Sequence, residues 1–464
     1  MNDQGEHRIL EVCGAAESKG VGHMSDIAVI GFGQGGAVAA IKLAQQGHAV
    51  TLFEQCPRDG LGHPWYDDIR FDIFAFCDLP EPPRACYTNK GKRLFISPDC
   101  KNSLRVPSAK PMEEISISRR ALNAHLAALC ETAGVCLRFE TPVEHLLLEN
   151  ARVTGVIVGQ TAQRFDLVID ASGLFSPFRA ELPARFGVQS QPGTDDVMTA
   201  WRGFFAWEPG TPAPDPDRNI YIKHLGGVGL SWCNLNDRGE ADVFVGRIGG
   251  LSDEERAHAV AQLIHDNAFC SDRVLQEGIT AKIALRAPNA GMVADGCVLL
   301  GDSAFMTMPM MGSGIEASMK AAVWLADWIG TQQITDFSAA NLWGYQVRYY
   351  AELGAKYAFV DIVKRWVLGI DTDLLNWLFG CGAVTNEDMG LVSTDPDNPN
   401  KLTAGKILKK TAIVLQKPKL IAQTALWMRR ALHAKRVANA IPQTYALSKV
   451  QSWQRRYNDC FVFH

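Results

Sequence analysis

The stretch from Asp26 to Glu54, DIAVIGFGQGGAVAAIKLAQQGHAVTLFE, constrains the fold more than any other part of this chain. Ile27 to Ile30 is a short apolar run of the kind that forms a buried parallel strand. Gly31, Gly33 and Gly36 follow as G-x-G-x-x-G, with Gln34 and Gly35 inside the turn. Small and apolar residues from Ala37 to Gln46 then predict a helix, and Ala49 to Phe53 a second strand ending at Glu54. Each glycine has a physical task. Gly31 permits the tight turn, Gly33 lets backbone approach a pyrophosphate, and Gly36 allows the helix to pack closely on the strand. The helix N-terminus supplies N–H donors to the anion. Glu54 is placed to take both hydroxyls of an adenosine ribose and would repel a 2′-phosphate, which selects FAD or NAD over NADP.

At 464 residues the chain is too long for one ordinary core. Hydrophobic residues make up 47% and charged residues 21%, the balance of a globular protein and not of a disordered one. No run of about 18 apolar residues predicts a spanning helix. Residues 1–24 lack the basic-then-apolar profile of a secretory signal and read as a flexible leader. The twelve cysteines form no C-x-x-C pair and have no metal-like His spacing, so reduced thiols of a cytoplasmic protein are expected and no metal site. From Lys401 to Asn458 there are thirteen Lys and Arg and no Asp or Glu; since the whole chain carries −4, the remainder carries about −17. Such a split points to an acidic partner surface, here an anionic membrane rather than nucleic acid, through residues 401–458.

Two further segments decide between the cofactors. FDLVIDASGLFSPFR (Phe165 to Arg179) is a buried strand ending in Asp170-Ala171-Ser172-Gly173. GCVLLGDSAFMTMPMMGSGIEASMK places a strand at Val298 to Leu300, Gly301-Asp302 at its end, and a helix from about Gly314. With these motifs the chain resembles flavoproteins of the glutathione-reductase fold, in the branch that holds p-hydroxybenzoate hydroxylase and the geranylgeranyl reductases. The resemblance covers roughly residues 25 to 335 and implies FAD. It also assigns roles: Asp302 would accept a hydrogen bond from a ribityl hydroxyl. Gly312, Ser313, Gly314 and Ile315 would bring a helix N-terminus against the flavin ring, whose reduced anion the helix end stabilises. Arg119, in ISISRRALNAHLAALC, matches the Arg that reaches FAD, and Val143 a strand position whose backbone pairs with adenine. Ser172-Gly173 and Gly301-Asp302-Ser303-Ala304-Phe305 depart from the hydroxylase pattern, and the DASG element, like the layout of Leu79 to Leu126, lies nearer the geranylgeranyl reductases. A Y-x-W-x-F-P element of that group has only Trp232 as its counterpart here.

The expected architecture is α/β: a Rossmann-like FAD-binding domain (25–194 and 286–335), an inserted antiparallel β-sheet substrate domain (195–285), and a helical, basic C-terminal region (336–464). Trp201, Phe205, Trp207, Tyr221 and Trp232 are expected along the substrate pocket, with Lys223 and His224 as candidate proton donors. Met306 to Met311 would run beside the flavin, Met310 and Met311 facing the ligand, because unbranched polarizable thioethers suit an irregular apolar substrate. No second G-x-G-x-x-G is present, so NAD(P)H visits the flavin directly or a partner reductase delivers electrons. In the tail, Ile421, Ala425, Met428 and Leu432 form a stripe flanked by Arg429, Arg430 and Arg436, the pattern of a helix lying on anionic lipid.

The functional expectation is an FAD-dependent reductase or dehydrogenase acting on a hydrophobic small molecule, prenyl or polyketide-like. The alternative is a flavin-dependent monooxygenase or halogenase. Behind these stand a non-redox flavoprotein like the lycopene cyclases and a membrane-docked electron carrier. The location follows as cytoplasmic, with peripheral membrane contact.

Overall fold

The computed structural model describes residues 24–90, 93–106, 113–212, 214, 218–387, 389 and 417–463. Residues 1–23 of the expected leader and residues 401–416 of the basic segment lie outside them. Six strands form the first sheet, in the order 293–294, 297–299, 167–170, 26–30, 49–53 and 136–138. All neighbours run parallel except the first pair. Asp26–Ile30 lies between Leu167–Asp170 and Ala49–Phe53, and its Ile27, Ala28 and Val29 are fully buried. Burial on both faces is why this strand reads as a continuous apolar run.

Helices Gln34–Gln45 and Ile315–Thr331 pack side by side. Gly35 makes the approach possible: a Cβ there would lie 2.8 Å from Ser318 Cβ. Helix Arg119–Thr132 flanks the first of these and starts where Ser118 Oγ accepts the Ala121 N–H at 3.3 Å.

A seven-stranded sheet stands over this layer, in the order 270–284, 197–207, 240–248, 229–235, 218–222, 93–96 and 103–105. Its last two strands come from outside the segment 195–285. Arg93–Ile96 joins by pairing parallel with Arg218–Ile222. Side chains alternate across the sheet, and the faces have different jobs. Trp201, Phe205, Trp207 and Tyr221 pack with Cys233, Val243, Val245 and helix Asp253–Asp266. Met198, Phe204, Phe244 and Trp232 pack on the opposite face with Trp65. Of the five aromatics expected along the pocket, four therefore fill the core beneath this helix.

The C-terminal part is helical: 339–349, a π turn at 350–354, 355–369, 372–380, 418–439 and 447–459. No described helix is long and apolar enough to cross a membrane. Helix Pro418–Asn439 lies along Ala355–Gly369 and turns Ala431, Ala434, Val437 and Ala438 inward. The stripe read from the sequence faces the other way at Ala425, Met428 and Leu432, while the Ile421 side chain lies outside those described. Met428 and Leu432 are exposed, as are Ala425 and Leu426, among exposed Arg429, Arg430, Lys435 and Arg436.

Candidate active site

The first glycine turn is closed by backbone. Gly31 N–H donates to Phe53 O at 2.7 Å, and Gly31 has φ +100°, with Ala171 O 2.5 Å from where a Cβ would sit. Only glycine fits that place. Helix Gln34–Gln45 follows with Gly33 as a cap that has no side-chain acceptor, so nothing from the cap covers its first N–H groups. Asp170, fully buried, anchors the opposite lip: it accepts Ser172 N–H at 3.0 Å, Ser172 Oγ at 2.6 Å and Ser176 Oγ at 2.5 Å. The DASG motif thus holds Ala171 against Gly31.

Helix Ile315–Thr331 likewise starts from a glycine, Gly314, with no side-chain cap. Both helix N-termini open on one polar chamber of about 380 Å³. Gly33 to Gly36 line one end and Gly312 to Glu316 another, with Asp302 and Thr307 between. Thr307 Oγ1 donates to Asp302 Oδ1 at 2.5 Å, which fixes the carboxylate beside Gly314. Two positive helix ends over one cavity are suited to an elongated ligand carrying negative charge at two places.

Further expected residues are distributed as follows. Glu54 Oε2 accepts Phe32 N–H at 2.7 Å and Oε1 accepts Cys56 N–H at 2.8 Å, so the carboxylate is held at the strand end with lone pairs to spare. Gln34 Nε2 donates to Asn123 Oδ1 at 2.6 Å. Arg119 lines the chamber, but its guanidinium is taken by Asp67 in a bidentate pair at 2.5 and 2.6 Å. Val143 is half-buried and precedes the strand His145–Glu149 instead of lying in it.

Lys223 and His224 line neither of the two large cavities. Lys223 Nζ donates to Ile370 O, and His224 sits against Tyr221 and Arg247. Burial first, then the Arg247 charge, lowers the His224 pKa to about 4, so its imidazole is neutral. These two residues lie away from the chamber that was to receive their protons.

Four charged groups on its wall carry no signal in the sequence. Arg202 and Asp242 form a buried bidentate pair at 2.8 and 2.6 Å, and Arg202 also donates to Tyr66 O. Lys90 and Arg93 both reach Glu114, and Lys90 also reaches Asp68. Their partners lie far away in sequence, so no local pattern announces them. Trp65 brings a buried indole N–H without a partner to the same wall.

A second, apolar chamber of about 430 Å³ adjoins the first. Met308, Met310 and Met311 line it from below, and helical residues such as Phe359, Trp366 and Leu378 form the far wall. Met306 departs from the expectation: it is fully buried in the core, and its Sδ accepts the Gly301 N–H at 3.2 Å. Met428, on the exposed stripe, reaches the same chamber. The two chambers share Met198, Leu230, Met311, Ser313 and Glu316.

No family profile matches the chain. The digeranylgeranylglycerophospholipid reductase of Sulfolobus acidocaldarius is 24% identical over 376 residues, 78% of this chain and 82% of the relative. A kynurenine 3-monooxygenase of Christiangramia forsetii is 24% identical over 334 residues, 64% of this chain and 70% of the relative. Among solved structures, a geranylgeranyl bacteriochlorophyll reductase-like protein of Thermoplasma acidophilum superposes with a TM-score of 0.70 at 19% identity, covering 87% of this chain and 99% of that one. The myxobacterial chondrochloren halogenase, an FAD-dependent enzyme, gives 0.58 at 18% identity, covering 95% and 98%. The chain is an FAD-dependent oxidoreductase, similar to the geranylgeranyl reductases.

The cradle of this oxidoreductase fits FAD on its own geometry. Gly31 and Gly36 admit no Cβ without collision, whereas a Cβ at Gly33 would meet nothing closer than Ala171 O at 4.0 Å and would project where a ligand must pass. The space beside Gly33 is kept free by the fold and not filled by it.

Proposed function

We propose that this oxidoreductase reduces carbon–carbon double bonds in the isoprenoid chain of a lipid. The observation that supports the reading best is the junction of the two chambers. A polar space built around two helix N-termini meets, at a neck of Met198, Leu230 and Met311, a space walled mainly by apolar side chains. FAD, when bound, supplies the hydride. In this reading Gly33, Gln34, Gly35 and Gly36 receive its pyrophosphate, Glu54 the adenosine ribose and Asp302 the ribityl chain. Gly312 to Ile315 meet the ring, and Arg119 buttresses the wall through Asp67. Met310 and Met311 bed the substrate chain, as flexible thioethers fill irregular apolar contours. Val143 supports the adenine side. Electrons come from NAD(P)H visiting the polar chamber or from a partner reductase.

The exposed stripe supports the route by which such a lipid arrives. Ala425, Met428 and Leu432 would sit in the interface of an anionic membrane, with Arg429, Lys435 and Arg436 on its phosphates. Met428 belongs both to this stripe and to the chamber wall, so the lipid chain passes from bilayer to cavity without crossing water.

The test is anaerobic. Protein loaded with FAD and chemically reduced is mixed with a geranylgeranyl-chain phospholipid, and flavin absorbance and product mass are followed. Reoxidation with a gain of two hydrogens per double bond is expected. No reoxidation under nitrogen, with an oxygen atom entering an aromatic substrate in air, favours instead the monooxygenase reading that the kynurenine 3-monooxygenase similarity supports.

A further inference from the structure

Reduction of a double bond needs a proton as well as a hydride, and the expected donors, Lys223 and His224, are not at the cavity. We propose that Glu316 is the catalytic proton donor, acting at the neck between the two chambers; this rests on the double-bond-reduction reading above.

Five residues line both chambers: Met198, Leu230, Met311, Ser313 and Glu316. A substrate chain in the apolar chamber whose reacting carbons reach the cofactor must pass among them. Glu316 alone of the five carries an acid able to give up a proton near neutral pH; a serine hydroxyl is far too weak.

Orientation is fixed from outside the helix. Arg70 N–H donates to Glu316 Oε1 at 2.8 Å, pinning one oxygen to the end of strand Tyr66–Arg70. No hydrogen bond within the protein occupies Oε2 among the described residues, and that oxygen is not sealed off from the cavities. The residue sits in the first turn of helix Ile315–Thr331, one position beyond the glycine-capped end that faces the flavin site.

Burial moves the carboxyl toward its neutral form, against the positive end of its own helix. Burial raises its pKa most, against the lowering effects of the Arg70 N–H, Lys320 and the Arg70 charge, while Asp72 adds to the rise. Tyr357, from helix Ala355–Gly369, is a further titratable neighbour, and Lys356 and Lys364 of that helix line the same chamber. A carboxyl whose pKa is raised by burial is suited to general-acid work.

The step balances as follows. The π pair of the double bond takes the Glu316 proton to form one C–H bond, and the other carbon takes the hydride supplied from the reduced cofactor to form the second. Glu316 is left as carboxylate and regains a proton from water in the polar chamber. The two electrons lost by the cofactor are restored by a nicotinamide hydride donor or an electron-transfer protein.

The variants are Glu316→Gln, whose amide oxygen still accepts the Arg70 N–H, and Glu316→Asp, a shortened acid. Infrared difference spectra of the FAD-free and FAD-loaded proteins should show a deuterium-sensitive carboxylic acid carbonyl band that Glu316→Gln lacks. In the anaerobic assay with geranylgeranyl-chain phospholipid, wild-type reoxidation should fall as pH rises through the raised pKa, because only the protonated acid reacts. Glu316→Gln should bind FAD normally and react roughly 10²- to 10⁴-fold more slowly, without that pH dependence, and Glu316→Asp should recover part of the rate. Wild-type rate and pH profile in Glu316→Gln would overturn the donor role while leaving the reductase reading intact. Absence of reoxidation in the wild type would overturn the reductase reading and the donor role together.

Discussion

Gly33→Ala separates the needs of the cofactor from the needs of the fold. Gly33 has φ −79° and ψ 166°, an extended conformation open to any residue. An ideal Cβ there meets nothing closer than Ala171 O at 4.0 Å. The apoprotein should therefore keep its stability or gain up to about 1 kcal/mol through a less flexible unfolded chain. FAD has no such latitude. The methyl projects into the polar chamber beside the uncapped N–H groups of Gln34, Gly35 and Gly36. Hydrogen bonds to a charged acceptor contribute about 1.5–3 kcal/mol each. Pushing the pyrophosphate off one of them weakens binding roughly ten- to hundredfold. Gly36→Val is the contrast: its branched side chain would press on the Gly31 carbonyl, with Ala171 Cβ 3.1 Å from the Cβ, so both stability and FAD fall. The assay is FAD titration of deflavinated protein by flavin fluorescence, with chemical denaturation of the same samples. Gly33→Ala binding FAD as tightly as wild type would refute the placement of the pyrophosphate at this turn.

Further outcomes follow from the same geometry. Arg202→Leu strands Asp242 inside the sheet and should destabilise by about 3–5 kcal/mol, whereas Arg202→Leu with Asp242→Leu recovers much of this; denaturation midpoints decide it. His224 is neutral when folded and titrates near its ordinary value when unfolded, so its contribution to stability is intact above pH 6.5 and declines toward pH 4. His224→Gln should flatten that part of the stability-pH curve. Met310→Lys puts an unpaired charge into the apolar chamber and should retain FAD but lose lipid reduction; normal lipid kinetics would make this methionine mere filler. Arg429→Gln with Arg436→Gln removes two exposed charges worth about 1 kcal/mol each, a roughly thirtyfold loss of binding to anionic vesicles in co-sedimentation; unchanged binding would remove the helix from the docking surface.

The glycine turn and the Gly301–Ile315 segment were legible because their chemistry is local. Strand, turn, helix and terminal acid follow one another within thirty residues, and each position has one steric reason. The neck was not legible. Glu316 reads in sequence as an ordinary acid in a first helical turn, and only the return of Arg70 from 246 residues away gives it an orientation. Alternation in Val197–Trp207 says that Trp201 and Phe205 share a face, but not which face looks at the cavity. Helix Asp253–Asp266 decides that by covering theirs. Met306 failed for a related reason. The tight turn after Asp302, with Phe305 at φ +56°, sends Met306 back toward Gly301 while Met308 to Met311 continue outward. Strand 93–96 joins the sheet by pairing with a partner more than a hundred residues on and brings 103–105 with it as the edge, and no local pattern encodes that.

The helical C-terminal part takes its meaning from the chamber it walls. An apolar cavity cannot orient a lipid chain by hydrogen bonds; it orients by shape and by what lies at its two ends. At one end Met428 joins the wall to an exposed basic helix, and at the other Glu316 and Met311 join it to the cofactor side. Helix Ala355–Gly369 spans both, supplying Tyr357 near Glu316 and packing along Pro418–Asn439. A change that tilts this helix would alter the depth of the cavity and the setting of the exposed basic helix at once. In the proposed reductase reading, the length of chain that fits, and hence which double bond comes to the neck, is a property of helix packing some distance from the glycine cradle. Relatives with the same cradle and different C-terminal helices can then act on different substrates without any change at the flavin.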